Sequence, residues 1–113
     1  MSRSVNKAVL IGNVTRDVET KAVANDKQVC TFSIATNRQW KEQSGESREE
    51  TQFHRIVAWG RLAELCGQLL HKGSKIYAEG RLSTRTYPNK EGVETHTTEI
   101  ILDDMILLDG KRE

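Results

Sequence analysis

The sequence predicts an all-β domain: five strands closed into a Greek-key barrel, with one short α-helix between the third and fourth strands. Three observations carry that prediction. Apolar and polar residues alternate with a period of two in five segments. One segment, residues 61–72, changes to a helical period, and it falls between the third and fourth of those strands. Closing such a set of strands into a small barrel leaves few open sheet edges. At 113 residues the chain is one domain, long enough to bury a core of its own.

The first strand, Val5 to Val14, sets Val5, Lys7, Val9 and Ile11 against Asn6, Ala8, Leu10 and Gly12. Thr15 to Asp17 breaks the pattern. A weaker strand is expected through Glu19 to Val23, followed by a turn at Ala24-Asn25-Asp26, because Asn and Asp tolerate turn backbones. Gln28 to Thr36 is the second strand, with Cys30, Phe32 and Ile34 on one side and Phe32 expected in the core. Arg38 to Glu50 is polar, with Gly45 near its middle, and suits a long hairpin loop. Thr51 to Gly60 is the third strand. In the helix, Arg61 to Lys72, Leu62, Leu65, Leu69 and Leu70 share a face; Gly67 weakens it and Gly73 supplies a stop. Ser74 to Arg81 is the fourth strand, with Ile76, Ala78 and Gly80 opposed to Lys75, Tyr77, Glu79 and Arg81. It runs on into Leu82 to Tyr87, where Ser83, Arg85 and Tyr87 share a face. Pro88 to Gly92 is a turn. Val93 to Leu108 is the fifth strand, with a bulge or bend at Asp103-Asp104.

Hydrophobic residues make up 36% and charged ones 29%, which suits a soluble domain. No apolar run is long enough to span a bilayer. The beginning, MSRSVNKAVLIGN, has neither an apolar signal region nor an Arg-rich leader, so a cytoplasmic location is expected. Cys30 and Cys66 are far apart in apolar-patterned segments and read as buried, reduced thiols. Net charge is only +1, but its distribution is uneven: residues 53–90 carry 7 basic and 2 acidic groups, and residues 91–113 carry 2 basic and 7 acidic. The basic middle also holds most of the aromatics.

The stretch TQFHRIVAWGR, Thr51 to Arg61, is the most informative. One face carries Phe53, Arg55, Val57, Trp59 and Arg61; the other carries Gln52, His54, Ile56, Ala58 and Gly60. If the first face were core, Arg55 would be a buried charge, which is costly. Two arrangements stay open: an outer face of aromatics and arginines fit to stack on bases and neutralise phosphates, or core aromatics with Arg55 snorkelling at an edge. Trp40, the only large apolar residue of its segment, likewise either packs back on the domain or serves as a stacking platform.

Strands and helix in this order are those of the oligonucleotide-binding (OB) barrel. The chain resembles bacterial single-stranded DNA-binding proteins of the homotetrameric kind. The resemblance rests on SRSVNKAVLIGN (Ser2 to Asn13), TQFHRIVAWGRLAEL (Thr51 to Leu65), KGSKIYAEGRLSTRTY (Lys72 to Tyr87) and Thr97-Thr98-Glu99. It implies a protein that binds single-stranded DNA without base readout and works in replication, recombination and repair; base stacking on aromatics is the mechanism for which this family is itself a standard example. The stacking positions fall on Trp40, Phe53, Trp59 and Tyr87, and the phosphate-contacting ones on Arg3, Lys7, Arg55, Arg61, Lys72 and Arg85. Phe53 and Tyr87 stand where many relatives carry Trp, and Trp59 where many carry Phe. Ser83 and Thr86 stand where relatives often have basic residues, and Arg81, a local addition, compensates. His54 matches a position at a subunit contact. No cofactor or metal is expected, since His54, His71 and His96 make no ligand spacing.

Relatives usually continue into a flexible Gly/Pro/Gln-rich linker and an acidic tip that recruits replication and repair enzymes. Here residues 1–109 are expected to form the binding domain and 110–113 a short remnant without that tail, either because the chain is a shortened core or because it lacks the recruiting function. Two other classes are weighed: an OB module acting on RNA, whose 2′-hydroxyl discrimination is not written in the sequence, and a protein-interaction barrel whose aromatics form a partner patch. An enzyme has least support, with no GxxxxGK, no metal-spaced Cys/His set and no nucleophile motif. The acidic groups near the end read as a solvated face.

Overall fold

Among the described residues the chain forms six strands and one helix: β1 (Ala8–Val14), β2 (Glu19–Val23), β3 (Lys27–Lys41), β4 (Ser47–Trp59), α1 (Gly60–Leu69), β5 (Lys75–Pro88) and β6 (Glu94–Leu107). The structure, a computed structural model, describes residues 3–23 and 27–109. The turn expected at Ala24-Asn25-Asp26 and the stretch 110–113 lie outside the described residues.

Neighbouring strands run in the order β1-β5-β6-β4-β3-β2. Every pair is antiparallel except β4 with β6, which is parallel through Ile56↔Ile100 and Val57↔Ile101. β1 also meets β3, at Asn13↔Ala35 and Val14↔Ile34. That pairing closes β1, β3, β4, β6 and β5 into the five-stranded barrel, while β2 is an added edge strand on β3. The weak strand of the sequence is β2, so the helix between the third and fourth barrel strands of the sequence is α1, between β4 and β5.

Inward side chains fill the barrel as the alternation dictates. Cys30, Phe32 and Ile34 come from β3, Ile56 and Ala58 from β4, Ile76 and Ala78 from β5, Ile100 and Leu102 from β6. α1 packs against β3 and β4 and adds Ala63 and Cys66, with Leu70 just beyond it. Both cysteines are free and fully buried. Burial pushes the Cys30 thiol up and the Cys66 thiol up to about 12, so neither is a ready nucleophile.

Four details differ from the expectation. The segment 38–50 is not a loop: β3 and β4 extend as a ribbon paired out to Lys41↔Ser47, turned at Glu42 to Glu46. Cross-strand side-chain pairs hold it, Thr51 to Asn37 at 2.8 Å and Arg48 to Glu42 at 2.6 Å. The first strand begins later, at Ala8. The helix starts a residue earlier, at Gly60, whose φ of 63° lets the strand turn directly into it, and ends at Leu69. Its buried face is Ala63 and Cys66, with Leu62 half-buried, while Leu65 and Leu69 are exposed. The helix lies so close to the sheet that small residues must face it; a side chain at Gly67 would strike the Thr20 hydroxyl of β2.

The bulge sits where two adjacent aspartates suggested. Glu79 faces Asp104 and Gly80 faces Leu102, leaving Asp103 as the extra residue of β6. There the strands approach closely, and a Cβ at Gly80 would collide with the carbonyl of Ile101. Gly80→Ala is expected to cost about 1–3 kcal/mol of stability, the usual scale for overpacking, read as a lower urea midpoint. An unchanged midpoint would show that the two strands have room to part.

Candidate nucleic-acid interface

Alternation that puts Ile56 and Ala58 inside forces Phe53, Arg55 and Trp59 outside on β4. Phe53 is 68% exposed and Trp59 49% exposed, and Arg55 is exposed between them, which decides between the two arrangements the strand left open. Val57, on the same face, is nevertheless buried. β6 and β5 continue this outer face. Ser83 is paired with Glu99, Arg85 with Thr97 and Tyr87 with Thr95, so Ser83, Arg85 and Tyr87 line up beside Glu99 and Thr97. Tyr87 is 38% exposed; its hydroxyl accepts a hydrogen bond from the Thr97 hydroxyl at 3.1 Å, which fixes the ring.

At the centre of this face lies Glu99, only 5% exposed. The parallel β4–β6 register brings it beside Arg55, whose Nε donates to Glu99 Oε2 at 2.5 Å. Arg85 Nε donates to Oε1 at 3.1 Å and its Nη2 to Oε2 at 3.3 Å. Burial alone would push the Glu99 carboxyl up; the hydrogen bonds and charges of Arg85 and Arg55 more than offset this and hold it below the ordinary range. The same contacts raise Arg85. The Arg85 guanidinium also lies 5.2 Å from the Tyr87 ring centre, a cation–π contact. Glu99 is therefore no part of a solvated acidic face. Its neighbours in sequence, Glu94 and Asp103, are exposed.

The remaining expected residues are spread more widely. Trp40, 38% exposed, stands near the tip of the ribbon with the Arg38 guanidinium 4.4 Å from its ring centre. By register it lies on the opposite face of the ribbon from Phe53: Trp40 follows Ile34, Thr36 and Arg38, whereas Phe53 is paired with Ala35. His54 shares the Trp40 side and bonds the Thr36 hydroxyl at 2.9 Å. Lys7 sits on the β1–β5 side in an ion pair with Glu79 at 3.0 Å. Glu79 also accepts from the Tyr77 hydroxyl at 2.7 Å, and these two contacts lower its pKa against the effect of burial. Arg81 approaches Asp103 at 3.9 Å. Arg3, Arg61 and Lys72 are exposed and in no ion pair among the described residues.

Beside Phe53 and Arg55 runs a groove of about 790 Å³, walled on its far side by Arg16, Asp17, Glu19 and Lys21. Arg16, Lys21 and the Arg38 that covers Trp40 are cations the sequence reading passed over. Arg38 lies two residues from Trp40, but its place over the ring depends on a ribbon that no hydrophobic period marks; Arg16 and Lys21 depend on how β2 pairs with β3. Among the described residues no cluster of three or more metal-ligating side chains exists and no helix is long and apolar enough to cross a membrane.

Residues 5–108 match the model of the single-strand binding protein family. The single-stranded DNA-binding protein 1 of Chlorobaculum tepidum is 45% identical over 112 residues, covering 98% of this chain and 69% of that one. The single-stranded DNA-binding protein of Neisseria meningitidis serogroup A is 40% identical over 110 residues, covering 97% of this chain. This chain spans 63% of the Neisseria protein's length. Among solved structures, the Plasmodium falciparum SSB complex with ssDNA superposes with a TM-score of 0.88 at 35% identity, covering 96% of this chain and 99% of that one. A deletion mutant of the Thermus aquaticus single-stranded DNA binding protein gives 0.83 at 30% identity, covering 98% and 54%.

Glu99 carries a pH consequence. Its pKa is depressed in the folded protein, so the stability it contributes is complete above the ordinary value of 4.5 and is lost as pH falls through the lower folded value. Thermal unfolding followed downward from pH 5 is expected to show a falling midpoint that flattens in Glu99→Gln; equal slopes for the two proteins would contradict the buried ion cluster.

Proposed function

This chain belongs to the single-strand binding protein family, and we propose that its residues 1–109 bind single-stranded DNA without reading its bases, protecting and organising it during replication, recombination and repair. The observation that carries this is the outer face of β4, β6 and β5, where exposed Phe53, Trp59 and Tyr87 alternate with Arg55 and Arg85. Every base offers a flat face to such rings, at about 1–3 kcal/mol per stacked base, so sequence matters little. Arg55 and Arg85 meet phosphates on this face. Arg61, beside Trp59, and Lys72, beyond the helix, extend the track, as do Arg3, Lys7 and Arg81; Trp40 adds a stacking surface at the ribbon. Duplex DNA hides its base faces and is expected to bind far more weakly. The protein is a binding module rather than an enzyme, at work in the bacterial cytoplasm at the nucleoid.

A single barrel offers few rings, and several barrels around one strand multiply the contacts. We assign a homotetramer on that ground. Its support in the structure is a second, apolar outer face: Val9 and Ile11 of β1 and Ile106 of β6 are exposed on either side of Tyr77, with Ile11↔Tyr77 and Tyr77↔Ile106 in register. His54, half-buried and tied to Thr36, is assigned to a subunit contact. Replication and repair enzymes are the protein partners that fit this role.

Tryptophan fluorescence is expected to be quenched when oligo-dT is added at low salt; absence of quenching would favour a protein-interaction barrel. Oligo-U binding more tightly than matched oligo-dT would move the assignment to RNA. Trp59→Ala and Trp40→Ala are each expected to weaken binding by about 1–3 kcal/mol, equally for different base compositions; a change in base preference would contradict stacking without readout. Arg55→Ala is expected to reduce the log-log salt slope by about 0.7. An unaltered slope would remove Arg55 from the phosphate contacts.

A further inference from the structure

A carboxylate at the centre of a face that attracts phosphate is at first sight misplaced. Glu99 is buried, though, so it acts on a ligand only through the two guanidinium groups that cover it. Both arginines use their Nε edge on the carboxylate, and Arg85 adds Nη2. The two Nη groups of Arg55 and the Nη1 of Arg85 have no hydrogen-bond partner among the described residues, and both side chains remain about half exposed, at 45% and 55%. By register Phe53 and Tyr87 lie at one end of the pair, toward Thr95 and Thr97, and Trp59 lies beyond Arg55 at the other, so the cations stand between Trp59 and the other two rings. Untethered, an arginine on a strand surface samples many rotamers, and fixing it on binding is unfavourable.

Resting on the single-strand binding assigned above, we propose that Glu99 is a positioning residue: it holds Arg55 and Arg85 as a rigid pair, Nη edges outward, where the sugar-phosphate chain passes from a base stacked on Trp59 to those stacked on Phe53 and Tyr87. The ordering of both side chains is then complete before DNA arrives. One carboxylate shared by two guanidiniums leaves a single net positive charge, so the gain lies in preorganisation and not in added attraction.

Charge and geometry can be separated by titrating oligo-dT against two variants, from about 0.1 to 1 M salt, where screening lengths shrink from about 10 to 3 Å. Glu99→Gln keeps the shape and removes the charge. Glu99→Asp keeps the charge and draws the carboxylate back by one methylene. Circular dichroism confirms that each is folded. At 1 M salt both are expected to bind roughly three- to tenfold more weakly than wild type, the scale of immobilising one long side chain. Glu99→Gln should also show a steeper salt dependence, by about 0.7 in slope, because one more cation is uncompensated. A counter-charge without a positioning role predicts the opposite: Glu99→Asp like wild type, and Glu99→Gln equal or tighter at every salt. A merely structural role would lower the melting temperature and move neither the slope nor the affinity of the folded protein. Either of these results overturns the proposal. Wild-type protein that fails to bind oligo-dT at low salt would instead sink the single-strand function itself.

Discussion

Two backbone pairs, Asn13↔Ala35 and Val14↔Ile34, join β1 to β3 and turn a sheet into a barrel. Much else about this molecule depends on that closure. A closed barrel has one inside, so each strand's alternation acquires an absolute sense, inward or outward. Slipping one strand by a residue would place Arg55 in the core and Ile56 in water, at a cost no local contact offsets. The core therefore fixes the outer face, and the aromatics and arginines of β4 and β5 inherit their direction from Ile56, Ala58, Ile76 and Ala78.

The outer face is less basic than a count of arginines suggests. Arg55 and Arg85 share Glu99, Lys7 is held by Glu79, and Arg81 lies near Asp103. This matches a chain whose net charge is only +1. The exposed pairs at Lys7 and Arg81 contribute little to stability, unlike the cluster around buried Glu99. Their effect is to keep cations in place and to moderate the field of that face.

The barrel was legible in the sequence because its strands are amphipathic with period two and several of its core positions carry isoleucine or phenylalanine. Phe32, Ile34, Ile76 and Ala78 lie where alternation puts them. The bulge at Asp103 was legible for a related reason, since two adjacent acids interrupt an apolar alternation. Elsewhere the pattern was silent or misleading. Residues 38–50 bury almost nothing, so no hydrophobic period marks them as strand; cross-strand hydrogen bonds and ion pairs hold the ribbon instead. The leucines of α1 suggested a buried stripe, but the close approach of helix to sheet selected Ala63 and Cys66. Glu99 was misjudged because its burial depends on partners 44 and 14 residues away, which sequence spacing does not reveal.

The ribbon formed by β3 and β4 has Trp40 on one surface and Phe53 on the other. Phe53 sits on the barrel wall, where Ala35 also pairs with Asn13, and Trp40 on the free ribbon, so a polymer that touches both must leave the wall and turn around the ribbon's edge. Double-helical DNA, with a persistence length of about 50 nm, resists so tight a bend, whereas an unpaired chain swivels at every nucleotide. On the proposed path past both rings, stiffness alone becomes a filter, acting before any chemical group on the polymer is sensed.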